Sequence, residues 1–213
     1  MKLNKVAPPN LPLSQATWSQ RFQEQFSNVL RLFFIRVTST LNELLGEDGG
    51  RFISMPHATF YDTTDQYALA ANTPYAVTFD SEYLTNSVYK DRADPTRIYV
   101  THAGIYNFTF SLQVAQTSSS THFFYVWFRR NGVDAPFSSS QYTIFGNPAE
   151  TIAALNFFVE MQPGDYFQLM WMVSDTRVYI ANLALPSPAP QSPSAILTVN
   201  FVSESSKVTE VAP

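Results

Sequence analysis

The chain has 213 residues, a mass of 24.0 kDa and a formal net charge of −4, with 45% hydrophobic, 15% aromatic and only 14% charged residues. That is enough chain for one sizeable core plus an appendage, and the mild, scattered charge gives no electrostatic grip on nucleic acid. The absence of cysteine excludes disulfides, thiolate nucleophiles and Cys-ligated zinc or iron–sulfur sites.

Residues 1–13 form an extended arm: Pro8, Pro9 and Pro12 break any helix, and Leu11 and Leu13 are its apolar anchors. Such an arm is either a frayed terminus or a peg that docks on a partner, and the two leucines favour docking. MKLNKVAPPNLPLSQ carries basic residues but no apolar run after them, so no secretory signal is expected.

Residues 14–46 read as one long helix. Thr17 with Gln20 fits a capping box, and Ser14 is an alternative cap. Trp18, Phe22, Phe26, Val29, Phe33, Val37, Leu41 and Leu44 follow at steps of 4, 4, 3, 4, 4, 4 and 3, a spacing that suits a straight or right-handed bundle better than a left-handed coiled coil. Gly46, then Gly49-Gly50 in a glycine-rich linker over 47–56, ends it. The helix would be roughly 40 Å long. Arg31 and Arg36 interrupt its most apolar stretch, Val29–Val37, which is too short to span a bilayer. The chain's own β domain or other copies of the chain could cover the stripe. Its length, its bulk and the adjacent glycines favour other copies.

From Arg51 the period changes to two. Ile105–Val114 alternates Tyr106, Phe108, Phe110, Leu112 and Val114 with Asn107, Thr109, Ser111 and Gln113. His122–Arg130, with Phe123, Phe124, Tyr125, Val126, Trp127 and Phe128, is apolar on both faces and suits a central strand or a subunit contact. Asn131-Gly132 closes it as a hairpin. Ile152–Met161 is a second two-sided run, ending in Gln162-Pro163-Gly164-Asp165, a type II turn pattern. Tyr166–Val173, Arg177–Leu183 and Ala195–Val202 follow, and weaker strands are expected at His57–Tyr61, Tyr75–Phe79, Val88–Lys90 and Thr96–Val100. About ten short strands between turns predict a mainly β chain, an antiparallel sandwich or jelly roll after one long helix. Leu185–Ser194, with four prolines, is a stiff connector, and the polar 204–213 is a tail.

Motifs for chemistry are missing: no G-x-S-x-G, no P-loop, no G-x-G-x-x-G. His57, His102 and His122 never stand at metal-binding spacing. A metal site of His102 with Asp91 or Asp94 is the weaker reading beside solvated histidines. The carboxylate groups Asp62/Asp65 and Asp91/Asp94 read as turn caps more readily than as a glycosidase pair. The sequon Asn107-Phe108-Thr109 lies mid-strand and is discounted. No enzyme activity, cofactor or metal is expected. Tyr61, Tyr67, Tyr83 and Tyr142 are candidates for stacking on sugars.

Gly104-x-Tyr106-x-Phe108-x-Phe110 with Ile98 six residues earlier, Phe128-Arg129-Arg130-Asn131-Gly132, and Val159–Leu169 around Pro163-Gly164-Asp165 resemble three successive motifs of the C1q/TNF-like jelly rolls, over about residues 55–203. Ile98 stands where that family often has an aromatic, and Ala195–Val202 lacks its Gly-Phe ending, so no calcium or receptor site is carried over. The resemblance implies a compact homotrimer with an aromatic contact near the threefold axis, which would take Phe123, Tyr125 and Trp127. Pro8-Pro9-x-Leu11-Pro12 and Gln23-x-x-x-x-Asn28-Val29-Leu30-Arg31-Leu32-Phe33-Phe34, within about residues 7–46, are similar to N-terminal segments of virion structural proteins of tailed bacteriophages. That similarity implies a fibre, spike or decoration protein of the virion, assembled in the host cytoplasm. Pro8, Pro9, Leu11, Pro12 and Leu13 would attach it to capsid or tail proteins, the helix stripe would hold the copies together, and residues 57–203 would form the head. A host-glycan adhesin head is the alternative; neither reading needs nucleic acid or a membrane.

Overall fold

The computed structural model describes residues 8–13, 17–45 (helix side chains through 42) and 55–204, divided between two units, Met1–Ser54 and Met55–Pro213. Ser14, the Leu44 side chain, Gly46, Gly49-Gly50 and residues 205–213 lie outside the described residues.

The first unit contains α1 (Gln20–Leu45), which starts later than the expected 14–46 and has a different cap. Ser19 precedes the first helical residue, its Oγ accepts a hydrogen bond from the Phe22 N–H at 3.4 Å, and its carbonyl accepts from the Gln23 N–H at 3.1 Å. The hydroxyl therefore sits three residues before the amide it serves, which Thr17 does not. Gln20 Nε2 donates along the helix to Glu24 Oε1 at 2.9 Å instead of closing a capping box. Trp18 falls before the helix and is 81% exposed. It is not part of the helical stripe.

In the second unit the chain runs through β1 (His57–Asp62), β2 (Gln66–Tyr67), β3 (Tyr75–Ala76), β4 (Ser81–Asn86), β5 (Val88–Lys90), β6 (Ile98–Val100) and β7 (Gly104–Gln116). It continues through β8 (His122–Arg130), β9 (Val133–Asp134), β10 (Ser140–Ile144), β11 (Ala149–Met161), β12 (Tyr166–Val173), β13 (Val178–Ile180) and β14 (Ala195–Ser203). Among the described residues these make two seven-stranded antiparallel sheets. The first runs β4-β1-β14-β7-β11, with β13 and β2 extending from the far end of β7. The second runs β10-β8-β12-β6-β5, with β9 beside β8 and β3 beside β12. The chain passes from sheet to sheet repeatedly, among other places between β6 and β7, β7 and β8, β10 and β11, β11 and β12, and β12 and β13, and its first strand pairs with its last. This is a jelly-roll sandwich.

The period-two reading of β7 holds: Tyr106, Phe108, Phe110, Leu112 and Val114 are buried and face the opposite sheet. Phe108 stacks on Phe167 of β12 with centroids 4.2 Å apart and planes 15° apart, and Phe124 packs on Trp171 at 5.8 Å. The first pair bridges the two sheets, the second joins neighbouring strands of the second sheet, and together these rings fill the core. Asn131 and Gly132 take φ of 49° and 80° between β8 and β9, the two positive values a type I′ hairpin demands. The Gln162–Asp165 turn closes through Asp165 N–H to the Gln162 carbonyl at 2.9 Å.

Several expectations change. Ile152–Met161 becomes the longer β11, and it is not buried on both faces: Ile152 and Phe158 lie on the outside of the first sheet and are exposed. Thr96 and Arg97 stay out of β6 because the Thr96 and Arg97 N–H groups bond to Asp94. Strands β2, β4, β9 and β10 were not expected. Two are only two residues long, and β4 and β10 are edge strands with mostly polar residues, which give no apolar alternation.

Candidate functional site

The helix is the first candidate, because its residue pattern exceeds what its own turns can bury. Phe22, Phe26, Val29, Leu30, Phe33 and Val37 are half-buried, with Phe22 stacked on Phe26 at 6.2 Å. Beside them Phe34 is 59% exposed and Leu41 46%. At 3.6 residues per turn these eight side chains sweep an arc of about 140°, wider than the roughly 100° that one core contact needs. In the arm, Pro9 and Pro12 are half-buried, whereas Pro8 is exposed and Leu11 and Leu13 project outward at 42% and 91%.

The three aromatic residues expected at a subunit contact lie on the outer face of the second sheet. Trp127 is almost covered within its own unit, its Nε1 donating to Asp134 Oδ1 at 2.9 Å, and Phe123 and Tyr125 beside it are half-buried. Arg129 Nε donates to the same Asp134 oxygen at 2.7 Å, and this bond, assisted by Trp127, holds the carboxyl below its ordinary pKa.

The carboxylates flagged by sequence serve the loops. Asp62 is buried and accepts from Thr64 N–H (2.9 Å), Thr64 Oγ1 (2.6 Å), Thr78 Oγ1 (3.1 Å) and the Asp80 N–H (3.1 Å). Asp91 and Asp94 cap their own turns through Ala93 and Thr96, and Arg97 pairs with Asp94 at 2.9 Å. His57 Nδ1 lies 2.8 Å from the Met55 carbonyl, and His102 Nδ1 lies 2.8 Å from Thr101 Oγ1. Among the described residues no group of three His, Asp or Glu side chains converges as metal ligands. One arrangement imitates a catalytic triad: His122 Nε2 lies 3.1 Å from Ser118 Oγ and 3.9 Å from Asp175 Oδ2. Both contacts use the same ring nitrogen, so the carboxylate cannot orient the ring for proton transfer from the hydroxyl. Asp175 is instead held well below its usual pKa by Arg177, whose guanidinium donates at 2.7 and 2.8 Å.

The sugar-stacking candidates separate. Tyr142 turns toward the core and donates to the Ala154 carbonyl at 3.2 Å, and Tyr61 is half-buried on β1. Tyr83 is exposed on β4. Tyr67 is 57% exposed and stacks on Tyr179, with centroids 4.9 Å apart and planes 20° apart. Tyr179 was missed because nothing in a three-residue strand signals that its ring backs another 112 residues away.

No family model matches the chain, and no curated protein does. Among solved structures, the globular domain of zebrafish complement 1qA protein is similar at 11% identity and a TM-score of 0.44, covering 70% of this chain and 99% of that one.

Proposed function

We propose that the protein is a non-enzymatic structural component of a phage particle. Its helix assembles copies of the chain, its proline-rich arm docks on other virion proteins, and its jelly-roll unit forms the head. The observation that carries this reading is the apolar arc of α1, in which Phe34 and Leu41 stay exposed beside a half-buried row. An arc of about 140° is wider than one core contact needs, so other copies of the chain cover it; that the copies number three is what the resemblance of residues 55–203 to the C1q/TNF-like jelly rolls implies. The exposed Leu11 and Leu13 give the arm apolar anchors for a partner. The particle role itself rests on the likeness of residues 7–46 to phage virion segments.

The test is the mass of the native full-length protein. Three chains of 24.0 kDa give about 72 kDa, and Phe34→Glu should dissociate them, because a charge in a packed interface is strongly unfavourable. A 24.0 kDa species at micromolar concentration sinks the reading. Deleting residues 1–46 should leave a protein that no longer joins particles, and normal incorporation of that truncate would remove the anchoring role.

A further inference from the structure

We propose that Tyr67, Tyr179, Asp65 and Asn182 form a shelf that binds a neutral oligosaccharide, one sugar ring lying on the Tyr67 face. The inference does not depend on the virion reading.

The β2–β13 end of the first sheet brings these groups together. Tyr67 pairs with Tyr179, Tyr179 with Ala115 of β7, and Ala115 with Glu150 of β11. Directly paired residues share a sheet face, so the four make one row: two rings, a small residue and a carboxylate. At about 4.8 Å between neighbouring strands the row spans ~14 Å, the length of a short oligosaccharide. Ala115 is buried and Glu150 exposed, so the middle of the row is low and its far end is charged.

The rim is polar and already fixed. Asp65 Oδ2 accepts from the Tyr67 hydroxyl at 2.8 Å, and Asp65 Oδ1 accepts from the Asn182 N–H at 2.7 Å. Gln191 Nε2, from the proline-rich connector, donates to Asn182 Oδ1 at 3.0 Å. Each carboxylate oxygen keeps a further lone pair for a sugar hydroxyl, and Asn182 Nδ2 has no acceptor among the described residues. Tyr179 supports one face of the Tyr67 ring. The outward face meets the C–H side of a pyranose, while the hydroxyls around the sugar reach Asp65 and Asn182. Two carboxylates, Glu150 in the row and Asp65 at its rim, suit hydroxyl donors and repel acidic or phosphorylated sugars. Because the groups hold one another in place, little ordering is lost on binding.

A second tyrosine row provides the control. Tyr89 and Tyr99 stack at 5.4 Å on the second sheet, but Arg97 covers Tyr166 at 4.9 Å and pairs with Asp94. Its rings are present, and its flanking charges neutralise each other.

The experiment titrates the full-length protein with maltotriose, cellotriose and triacetylchitotriose, followed by saturation-transfer NMR. At least one should bind saturably, with Kd on the order of 1 mM. Tyr67→Leu, which keeps apolar bulk on Tyr179, should weaken binding at least about tenfold; Tyr67→Phe, which keeps the flat face, should still bind, and Tyr89→Leu should match the wild type. Thermal midpoints and native mass, measured alongside, should be unchanged in all three variants. The proposal is overturned if no trisaccharide binds saturably, if Tyr67→Leu binds as the wild type does, if Tyr67→Phe loses binding, or if Tyr89→Leu loses as much as Tyr67→Leu.

Discussion

A Cβ on Gly104 would collide with the Phe201 ring and lie 2.7 Å from the Ser203 carbonyl oxygen. The glycine that opens β7 therefore exists to let β14 approach, and Tyr106 packs edge-on against the same Phe201 ring at 5.5 Å. Gly104→Ala should cost about 1–3 kcal/mol through overpacking, read as a lower urea midpoint at unchanged slope. An unaltered midpoint would mean that β14 gives way freely. The acidic groups make a second prediction. Hydrogen bonds from Arg177 depress the Asp175 carboxyl, Arg129 depresses Asp134, and bonds from Thr63 and Ser81 lower Asp80 against the opposing pull of burial. A carboxyl with a folded pKa below its unfolded one stabilises the fold above about pH 4 and loses that contribution as pH falls toward the folded value. The thermal midpoint should decline on acidification below about pH 4, and Asp175→Asn should make that decline shallower. Parallel curves for variant and wild type would contradict the assignment.

At the scale of elements, the helix and the long strands are built differently. Helix α1 depends on its cap and its apolar arc, since an isolated helix of this composition is marginal in water. Ser19→Ala should cost ~1 kcal/mol of helix stability, while Thr17→Ala should cost little, and helical circular dichroism on heating separates the two. Strands β7 and β12 meet across the sandwich at Phe108 and Phe167, so Phe108→Ala should cost about 3–5 kcal/mol and lower the thermal midpoint. These strands were legible because Tyr106, Phe108 and Phe110 alternate with polar residues within one short window. Strands β4 and β10 were not, because edge strands such as Ser81–Asn86 bury little and have no pattern to read. The Thr17 cap failed for a related reason: Thr17 with Gln20 fits the capping-box motif and Ser19, three residues before Phe22, does not, and only the position of the first helical turn selects Ser19.

For the whole molecule, the two proposals fall on separate units. The first presents apolar surface on its helix and arm, and the second encloses its aromatic core between two sheets. The trimer prediction belongs to the first unit and the sugar prediction to the second, so their failures are distinguishable. Phe34→Glu should change mass and leave trisaccharide binding in place, while Tyr67→Leu should do the reverse. One substitution abolishing both would show that the shelf exists only in the assembled protein.

The sequence by itself determined the division into helix and sandwich, the inward residues of β7, and the turns at Asn131-Gly132 and Pro163-Gly164. These follow from periodicity and backbone preference among neighbours in the chain. Only the tertiary structure decided that Asp62 is a buried staple, that Trp127 is held by Asp134, that Tyr142 points inward, and that Tyr67 shares a row with Tyr179 and Glu150. Apart from the Trp127–Asp134 bond, which spans a single hairpin, these depend on strand register between segments farther apart in the chain, and a one-residue slip would send the same side chains to the opposite face.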